Sequence, residues 1–298
     1  MSAEFTVDNL KAFLDAVRNE LPARRCYFRG QSRLIDTGYE LRPSIARYEG
    51  VQALTPYERD KLERDCLDTF ENHLLAHMPQ VPRDEWVTLA IAQHHGLPTR
   101  YLDWTTNPLV ALYFAVRQSE QDGEGSSLDS AVYVLTSEPK RYADLKRNQN
   151  QGVRPVPDSL TEKAEEDNPY QDYGLDEEDE HEMDAVQVSF GIAESSEEES
   201  DEQEGIPSPF DITENIIYDP PHLAPRIRAQ DGVLLACHRP LQPLEERDYL
   251  EIVVKYDSHD DIRRQLDQYG VFDKQLFPDL DGIAKWLKYR AFEIGGDL

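Results

Sequence analysis

The chain has 298 residues and a net charge of −28, and it contains three cysteines that are far apart in the sequence. The longest apolar run, residues 109–116, is far shorter than the roughly 20 residues that span a bilayer. These features argue against a membrane protein and a disulfide framework. We therefore expect a cytoplasmic protein with buried free thiols.

Most of the negative charge lies in one segment. Residues 158–204 contain 20 acidic residues and one lysine, so this segment carries −19 and the rest of the chain −9. Such a composition cannot bury enough apolar surface to offset chain entropy, which predicts a disordered acidic insert over residues 146–206. It separates a first part, residues 1–145, from a second part, residues 207–298. Two roles stay open, a solvated loop or a nucleic-acid mimic that covers a cleft.

Helical patterns are most frequent in the first part of the chain. Apolar spacing predicts an amphipathic helix over residues 6–21, and residues 26–31 are short and aromatic like a strand. A capping box at residues 55–58 starts a long helix. Its expected core stripe is Leu62, Cys66, Phe70 and Leu74. A second helix is predicted from about residue 84 to 96.

The later elements include most of the predicted strands. An apolar helix follows Pro108 over residues 109–116, and residues 130–136 have the composition of a strand. After the insert, structure resumes at residues 226–237 and in a strand at 249–256, before two helices at about 258–270 and 281–289. The predicted fold class is α+β with one globular core, in which the N-terminal helices pack on a mixed or antiparallel sheet.

Three clusters of polar and aromatic residues contain the candidate functional side chains. In residues 27–31, Arg29 beside Gly30 can present a planar fork to phosphate or carboxylate, or form an ordinary ion pair. Residues 93–105 begin with two adjacent histidines, which cannot both face one metal from a helix. There, Arg100 and Asp103 can instead pair structurally and Trp104 can be core. Residues 225–233 place a polar run before a strand, which is a weak signal alone.

The usual catalytic motifs are absent from the sequence. It has no Gly-x-Gly-x-x-Gly, no phosphate-binding Gly-x₄-Gly-Lys-Ser/Thr, no Gly-x-Ser-x-Gly and no Cys-x₂-Cys. This argues against a kinase, a Rossmann dehydrogenase and an α/β-hydrolase. The acidic tract also argues against nucleic acid as a passive ligand.

Taken in order, the three clusters resemble the FRG domain, which is named for a Phe/Tyr-Arg-Gly tripeptide. Residues 28–31 match the naming motif and residues 41–44 the Leu-x-Pro-Ser that follows it. Residues 93–105 and 107–115 match the longest motif of the family, and residues 226–232 match its late motif. The resemblance covers roughly residues 20–290.

The order of these motifs is similar to that of ADP-ribosyltransferase folds, which implies a core of that kind and NAD as cofactor, with no metal. The resemblance implies that Arg29 holds the diphosphate or ribose of NAD. It also implies that Asp103, Trp104 and Thr105 line the nicotinamide pocket. Gln230 stands where those folds supply a glutamate, which would stabilise the developing cation. Asp103 or Asp231 are the substitutes in this sequence, although strand alternation would aim Asp231 away.

The resemblance therefore implies two sets of site residues. The catalytic set is Arg29, Asp103 and Gln230. The ligand-binding set is Tyr27, Gly30, Gln31, His95, Thr99, Arg100, Trp104 and Thr105.

Three functions stay open at this point. One is an ADP-ribosyltransferase-like enzyme, a toxin or phage-defence effector that acts on a protein or nucleic acid. Another is a non-catalytic module that binds a nucleotide or a protein tail, and the third is a structural or adaptor protein. The first two require Arg29, Thr105 and Gln230 to line one cavity. The sequence indicates neither the substrate nor the oligomeric state.

Overall fold

The computed structural model describes residues 4–22, 24–78, 80–81, 84–121, 125–151, 206–221 and 225–295. Residues 1–146 and 206–298 belong to one compact unit. The disordered insert was predicted over residues 146–206, but residues 146–151 are the end of a helix, so that boundary is wrong. Residues 152–205 lie outside the described residues, and their disorder stays a prediction. The elements of the described residues, in chain order, are β1 (Glu4–Val7), α1 (Leu10–Glu20), β2 (Phe28–Gln31), α2 (Glu49–Gln52), α3 (Pro56–His77), α4 (Glu85–His94), β3 (Tyr101–Thr105), α5 (Pro108–Val116), β4 (Ser130–Leu135), β5 (Lys140–Arg141), α6 (Tyr142–Gln151), β6 (Ile216–Tyr218), α7 (Pro225–Ala229), β7 (Gly232–Ala236), β8 (Tyr249–Val254), α8 (His259–Gln268), α9 (Asp273–Leu276) and α10 (Leu280–Lys288).

The strands form one eight-stranded mixed sheet in the order β1-β8-β4-β2-β3-β7-β6-β5. The outermost pairs, β1 with β8 and β5 with β6, are parallel, and the inner pairs are antiparallel. The mixed sheet packed with helices confirms the predicted combination of helices and strands. Its two central strands, β2 and β3, come from the first two polar clusters of the sequence.

Helices cover one face of the sheet in two separate groups. Over the β1-β8-β4-β2 half, α1, α5 and α8 enclose a core that includes Phe13, Phe28, Leu112, Ile252 and Leu266. Over the other half, α3 and α4 pack on a second core, where the buried side chains include Leu67, Trp86, Leu89, Tyr101 and Tyr218. The boundary between these two groups passes through β2 and β3.

Several local predictions are confirmed by the element boundaries. Thr55 and Glu58 form the capping box of α3, and Pro108 is the first residue of α5. Asp84 caps α4 through its side chain, and Gly96 follows the helix with a φ of 90°. This positive φ is easy for glycine because it has no Cβ.

Two of the predicted helices differ in their details. The first helix does not begin at residue 6, because residues 4–7 form β1 beside β8 and the helix starts after Asn9. The predicted core stripe of α3 is confirmed at Leu74, which is buried, and at Phe70, which packs against the core. It is wrong at Leu62, which is 40% exposed, and at Cys66, which is exposed. Glu63 turns inward instead, where it binds Arg100, a buried arginine directly before β3. The expectation of buried free thiols is therefore confirmed at Cys237, is wrong at Cys66 and is met only in part at Cys26.

Candidate functional site

A gap in the sheet separates β2 from β3. The two strands pair at a single position, Phe28 with Thr105, although β2 pairs with β4 along its whole length and β3 does so with β7. Beyond this pair β2 and β3 do not continue the ladder, and a slot opens between them. Strand alternation points Phe28 and Gly30 toward α5, and Arg29 and Gln31 toward the opposite face.

Gly30 allows α5 to lie directly against β2. A Cβ atom at this position would be 1.8 Å from the Ala111 carbonyl oxygen and 2.7 Å from the Ala115 nitrogen. Both are backbone atoms of α5, which cannot move aside as a side chain can. The glycine of the Phe-Arg-Gly tripeptide is thus required by close packing of a helix on a strand.

A pocket of about 320 Å³ lies at the slot, enclosed by β2, β3, β7, α4, α5 and α7. This volume is at the lower end of the range for small-molecule sites, roughly 300–1,000 Å³. The walls are mostly apolar, with a few convergent polar groups. The polar side chains that line it are Arg29, Gln93, His94, Asp103, Thr105, Arg226 and Gln230.

Arg29 reaches into the slot and takes the place of the missing ladder bonds. Its Nη1 donates to the Asp103 backbone carbonyl at 2.7 Å, and its Nε donates to Gln31 Oε1 at 3.3 Å. The nearest carboxylate oxygen, Asp103 Oδ2, is 3.9 Å from Nη1. Burial lowers the pKa of the Arg29 guanidinium, and the Asp103 charge only partly opposes that shift. The side chain is thus a cation whose charge is incompletely balanced by protein groups.

A short chain of hydrogen bonds orients the carboxylate of Asp103. Gln93 Nε2 donates to both carboxylate oxygens, at 3.2 and 3.1 Å, and Gln93 Oε1 accepts from the Thr99 hydroxyl at 2.7 Å. The Asp103 side chain is still 62% exposed, so a ligand in the pocket can reach it. Thr99 itself is buried and acts here as the support of Gln93.

His94 is the titratable side chain at the end of α4 that lines the pocket. Burial lowers its pKa below the usual value, and the neighbouring His95 and Arg226 charges act in the same direction. The imidazole is therefore neutral at pH 7 and can accept a proton. His95, the histidine chosen from the sequence, is exposed and does not line the pocket.

Thr105 and Gln230 connect β3 to the segment between α7 and β7. The Thr105 hydroxyl donates to the Gln230 backbone carbonyl at 2.7 Å and accepts from the Asn107 amide at 3.1 Å. Gln230 Nε2 donates to the Leu276 carbonyl at 3.0 Å. Both side chains line the pocket, and both form hydrogen bonds that hold its wall together.

The structure brings six of the eleven sequence-predicted site residues to the pocket. Arg29, Gly30, Asp103, Trp104, Thr105 and Gln230 line it. The other five, Tyr27, Gln31, His95, Thr99 and Arg100, do not. Gln31 is buried beside Arg29, and its Nε2 donates to the Tyr39 carbonyl. The Tyr27 ring packs in the core of the other sheet face, under Arg25 at 5.8 Å.

Arg100 is a buried structural arginine. Its Nε and Nη2 bind the two oxygens of Glu63 at 3.0 and 2.8 Å, and Nη2 also binds Asp60 at 2.8 Å. Burial alone would lower its pKa, but the two carboxylates outweigh burial and raise it. Its charge is therefore neutralised by carboxylates of the protein itself.

Four further residues line the pocket that were not predicted from the sequence, namely Gln93, His94, Phe114 and Arg226. Three of them lie inside the clusters that were selected. A distinction between His94 and His95 was not possible, because it depends on the residue at which α4 ends. Arg226 lies on α7, a one-turn helix that the sequence did not predict.

Two further findings concern the described residues. They contain no group of three or more side chains placed to hold a metal ion. Within the same residues, no helix combines the length and the apolar character needed to cross a bilayer.

A mixed sheet with a central slot, and an arginine in that slot beside a partly exposed carboxylate, defines an α and β domain with a candidate pocket at the centre of the sheet. Residues 24–124 match the family model of the FRG domain, so the chain contains an FRG domain. The match runs from β2 through α5 and includes Arg29 and Asp103. It does not extend to Arg226 and Gln230, although the resemblance in the sequence covered that region. No curated protein and no solved structure matches the chain.

Proposed function

We propose that this FRG-domain protein is an ADP-ribosyltransferase-like enzyme that uses NAD in the pocket around Arg29. One observation carries the proposal: Arg29 and Asp103 place an incompletely neutralised guanidinium and an exposed carboxylate at the edge of the same pocket. Transfer of ADP-ribose uses both charges, because the donor carries phosphates and its ribose becomes cationic as the bond to nicotinamide breaks. The role of the protein as a toxin or phage-defence effector is part of the same proposal.

The chemistry can be assigned to three side chains. The bond between ribose C1′ and the nicotinamide nitrogen breaks, and the electron pair leaves with nicotinamide. Positive charge then grows on the ribose, and the Asp103 carboxylate would stabilise it electrostatically. The acceptor nucleophile forms the new bond to C1′ and loses a proton, which the neutral His94 would take. Arg29 would orient the donor through its diphosphate or ribose.

Gln230 departs from the pattern of such enzymes, because it provides an amide where a glutamate is expected. Its Nε2 is bound to the Leu276 carbonyl, which suits a residue that holds the wall of the pocket. Asp231 is a poor substitute, since it accepts from Asn107 and lines a different pocket. Asp103 is thus the carboxylate that remains. Loss of one electrostatic stabiliser commonly costs on the order of 10²–10³ in rate, so turnover is expected to be slow.

The test combines calorimetric titration of NAD with chromatographic detection of released nicotinamide. We expect wild type to bind and slowly cleave NAD, Arg29→Ala to bind at least about tenfold more weakly, and Asp103→Asn to bind but not cleave. Arg18→Ala and Asp68→Asn are matched controls, because both residues are exposed on α1 and α3. Wild type that neither binds NAD nor releases nicotinamide would end the proposal.

A binding module without catalysis is the second candidate, and the glutamine at position 230 favours it. In this case NAD or ADP-ribose binds in an Arg29-dependent manner, and no nicotinamide appears even after long incubation. The macromolecular acceptor, a protein or a nucleic acid, is not indicated by the pocket. Incubation of labelled NAD with a cell extract, followed by protease or nuclease treatment, would show which polymer carries the label.

A further inference from the structure

A pair of arginines lies beside the pocket, Arg226 on α7 and Arg117 directly after α5. The guanidinium carbon of Arg226 lies 4.5 Å from the centre of the Phe277 ring, and that of Arg117 lies 4.9 Å from the same centre. The distance between the two guanidinium carbons therefore cannot exceed the sum of these two distances. Arg226 lines the pocket, and Arg117 also lies 5.6 Å from the ring of Phe114, which lines it too.

Neither arginine is neutralised by a nearby partner. Among the described residues, no carboxylate lies within salt-bridge distance of Arg117 or Arg226, and no acceptor takes a hydrogen bond from them. Asp103 and Asp279 act on Arg226 only at longer range, whereas burial and the Arg117 charge both lower its pKa. Two like charges are thus held together in a chain whose overall charge is −28.

The stacking on Phe277 orients the guanidiniums without using their hydrogen-bond donors. A cation over an aromatic face interacts through the ring quadrupole, so the N–H groups at the edge of the guanidinium stay free. Arg226 is an exposed residue, and no nitrogen of the partly buried Arg117 is a buried atom without a partner, so the donors of both side chains are open to solvent or to the pocket. A planar fork of this kind suits bidentate binding of phosphate.

We infer that Arg117 and Arg226 form a phosphate-binding subsite of the Arg29 pocket, which takes the diphosphate of a nucleotide ligand. This inference rests on the proposed function, and it changes the assignment of one residue within it. The diphosphate binds at the α5–α7 side, and Arg29 in the slot is left to contact the ribose. A ligand with phosphate at one end and a developing cation near Asp103 then fits the distribution of charge in the pocket.

The experiment compares ADP, adenosine and inorganic pyrophosphate by calorimetric titration of the full chain. We expect ADP and pyrophosphate to bind, and adenosine to bind at least about tenfold more weakly than ADP. Arg117→Gln and Arg226→Gln should each lower the ADP affinity about tenfold or more and leave adenosine unchanged. Arg226→Lys should recover part of the loss, because it keeps the charge without the fork.

Arg228→Gln is the matched control, because Arg228 lies on the same short helix but lines a different pocket. It should leave the ADP affinity within about twofold of wild type. Melting temperatures of all variants show whether each one is folded. The inference is overturned if ADP binds no better than adenosine, or if the two glutamine variants keep full affinity.

The outcomes also separate this subsite from the proposed enzyme. If NAD is cleaved equally well by wild type and by the Arg117→Gln/Arg226→Gln variant, the enzyme stands and the subsite is rejected. If ADP binds in an arginine-dependent manner but NAD is never cleaved, the subsite stands and the enzyme is rejected.

Discussion

Two arginines of the motif clusters, Arg100 and Arg29, lie in different electrostatic surroundings. Arg100 is buried and meets two carboxylates, Glu63 and Asp60, at 2.8 Å each. Arg29 meets a carbonyl at 2.7 Å, and its nearest carboxylate oxygen is at 3.9 Å. An arginine whose charge is already neutralised by carboxylates of the protein cannot also pair with the charge of a ligand. Arg100 therefore has a structural role, and Arg29 is the arginine that is available to bind a ligand.

The largest expected effect is on stability at Arg100. Arg100→Leu leaves Glu63 buried without a partner, and removal of one member of a buried pair costs about 3–5 kcal/mol. Arg29→Leu removes hydrogen bonds to neutral acceptors and should cost about 1–2 kcal/mol. Urea unfolding of both variants measures the difference. Equal losses would mean that the two arginines are not distinguished by their partners.

A second variant controls for the change of shape at Arg100. In the Arg100→Leu/Glu63→Leu protein no buried charge is left alone, so much of the lost stability should return. Arg64→Leu provides a surface comparison, because Arg64 lies on α3 next to Glu63 and its ion pairs with Asp211 and Glu85 are partly exposed. It should cost less than about 1 kcal/mol.

The slot around Arg29 depends on backbone packing, and Gly30→Ala tests this directly. The added Cβ would meet the Ala111 carbonyl oxygen at 1.8 Å, so β2 and α5 must move apart. Overpacking of this kind costs about 3 kcal/mol in a rigid setting. Gly50→Ala is the matched control, since nothing lies within 4 Å of its Cβ position. Comparable unfolding curves for the two variants would contradict the close contact.

The same contrast explains how far the sequence could predict this molecule. Local signals were sufficient for the starts of α3 and α5, because a capping box and a proline at the first turn act within a few residues. The core stripe of α3 was not predictable in this way. Glu63 replaces an apolar residue there only because Arg100, 37 residues later, neutralises it.

The residues of the site also fall into two groups, those recognisable from a local motif and those whose role depends on tertiary packing. Arg29 and Asp103 were recognisable because each lies in a motif cluster, and the fold brings both to one pocket. The roles of Thr99 and His94 depend on the geometry of α4, which fixes Gln93 against Asp103 and turns His94, not His95, toward the pocket. Arg226 could not be selected because its pairing with Arg117 joins two segments that are far apart in sequence. Strand β6 was missed as well, since it has only three residues.

The smallest expected effect is on the pH dependence of stability, and it concerns His259, a buried polar residue that is neutral. His259 is 1% exposed, and its two ring nitrogens lie 3.2 Å from the Ser119 hydroxyl and 2.9 Å from the Ser130 hydroxyl. Burial lowers its pKa, and the Val254 carbonyl and the Asp129 and Asp260 charges oppose this shift only in part. The folded protein therefore resists protonation of this ring more than the unfolded chain does.

The sign of the pH dependence follows from this difference. Well above pH 6.5, at about pH 7.5, the ring is neutral in both states, and the folded protein has its full stability. Below that pH the unfolded chain binds a proton that the folded protein does not, so stability is lost, by at most about 1.4 kcal/mol per pH unit. We expect the loss between pH 7.5 and 5.5 to be about 1 kcal/mol larger for wild type than for His259→Gln, measured by urea unfolding. At Arg100 the carboxylates outweigh burial, whereas at His259 the Asp129 and Asp260 charges do not. Parallel pH profiles for the two proteins would therefore show that the surroundings of His259 accept the charge after all.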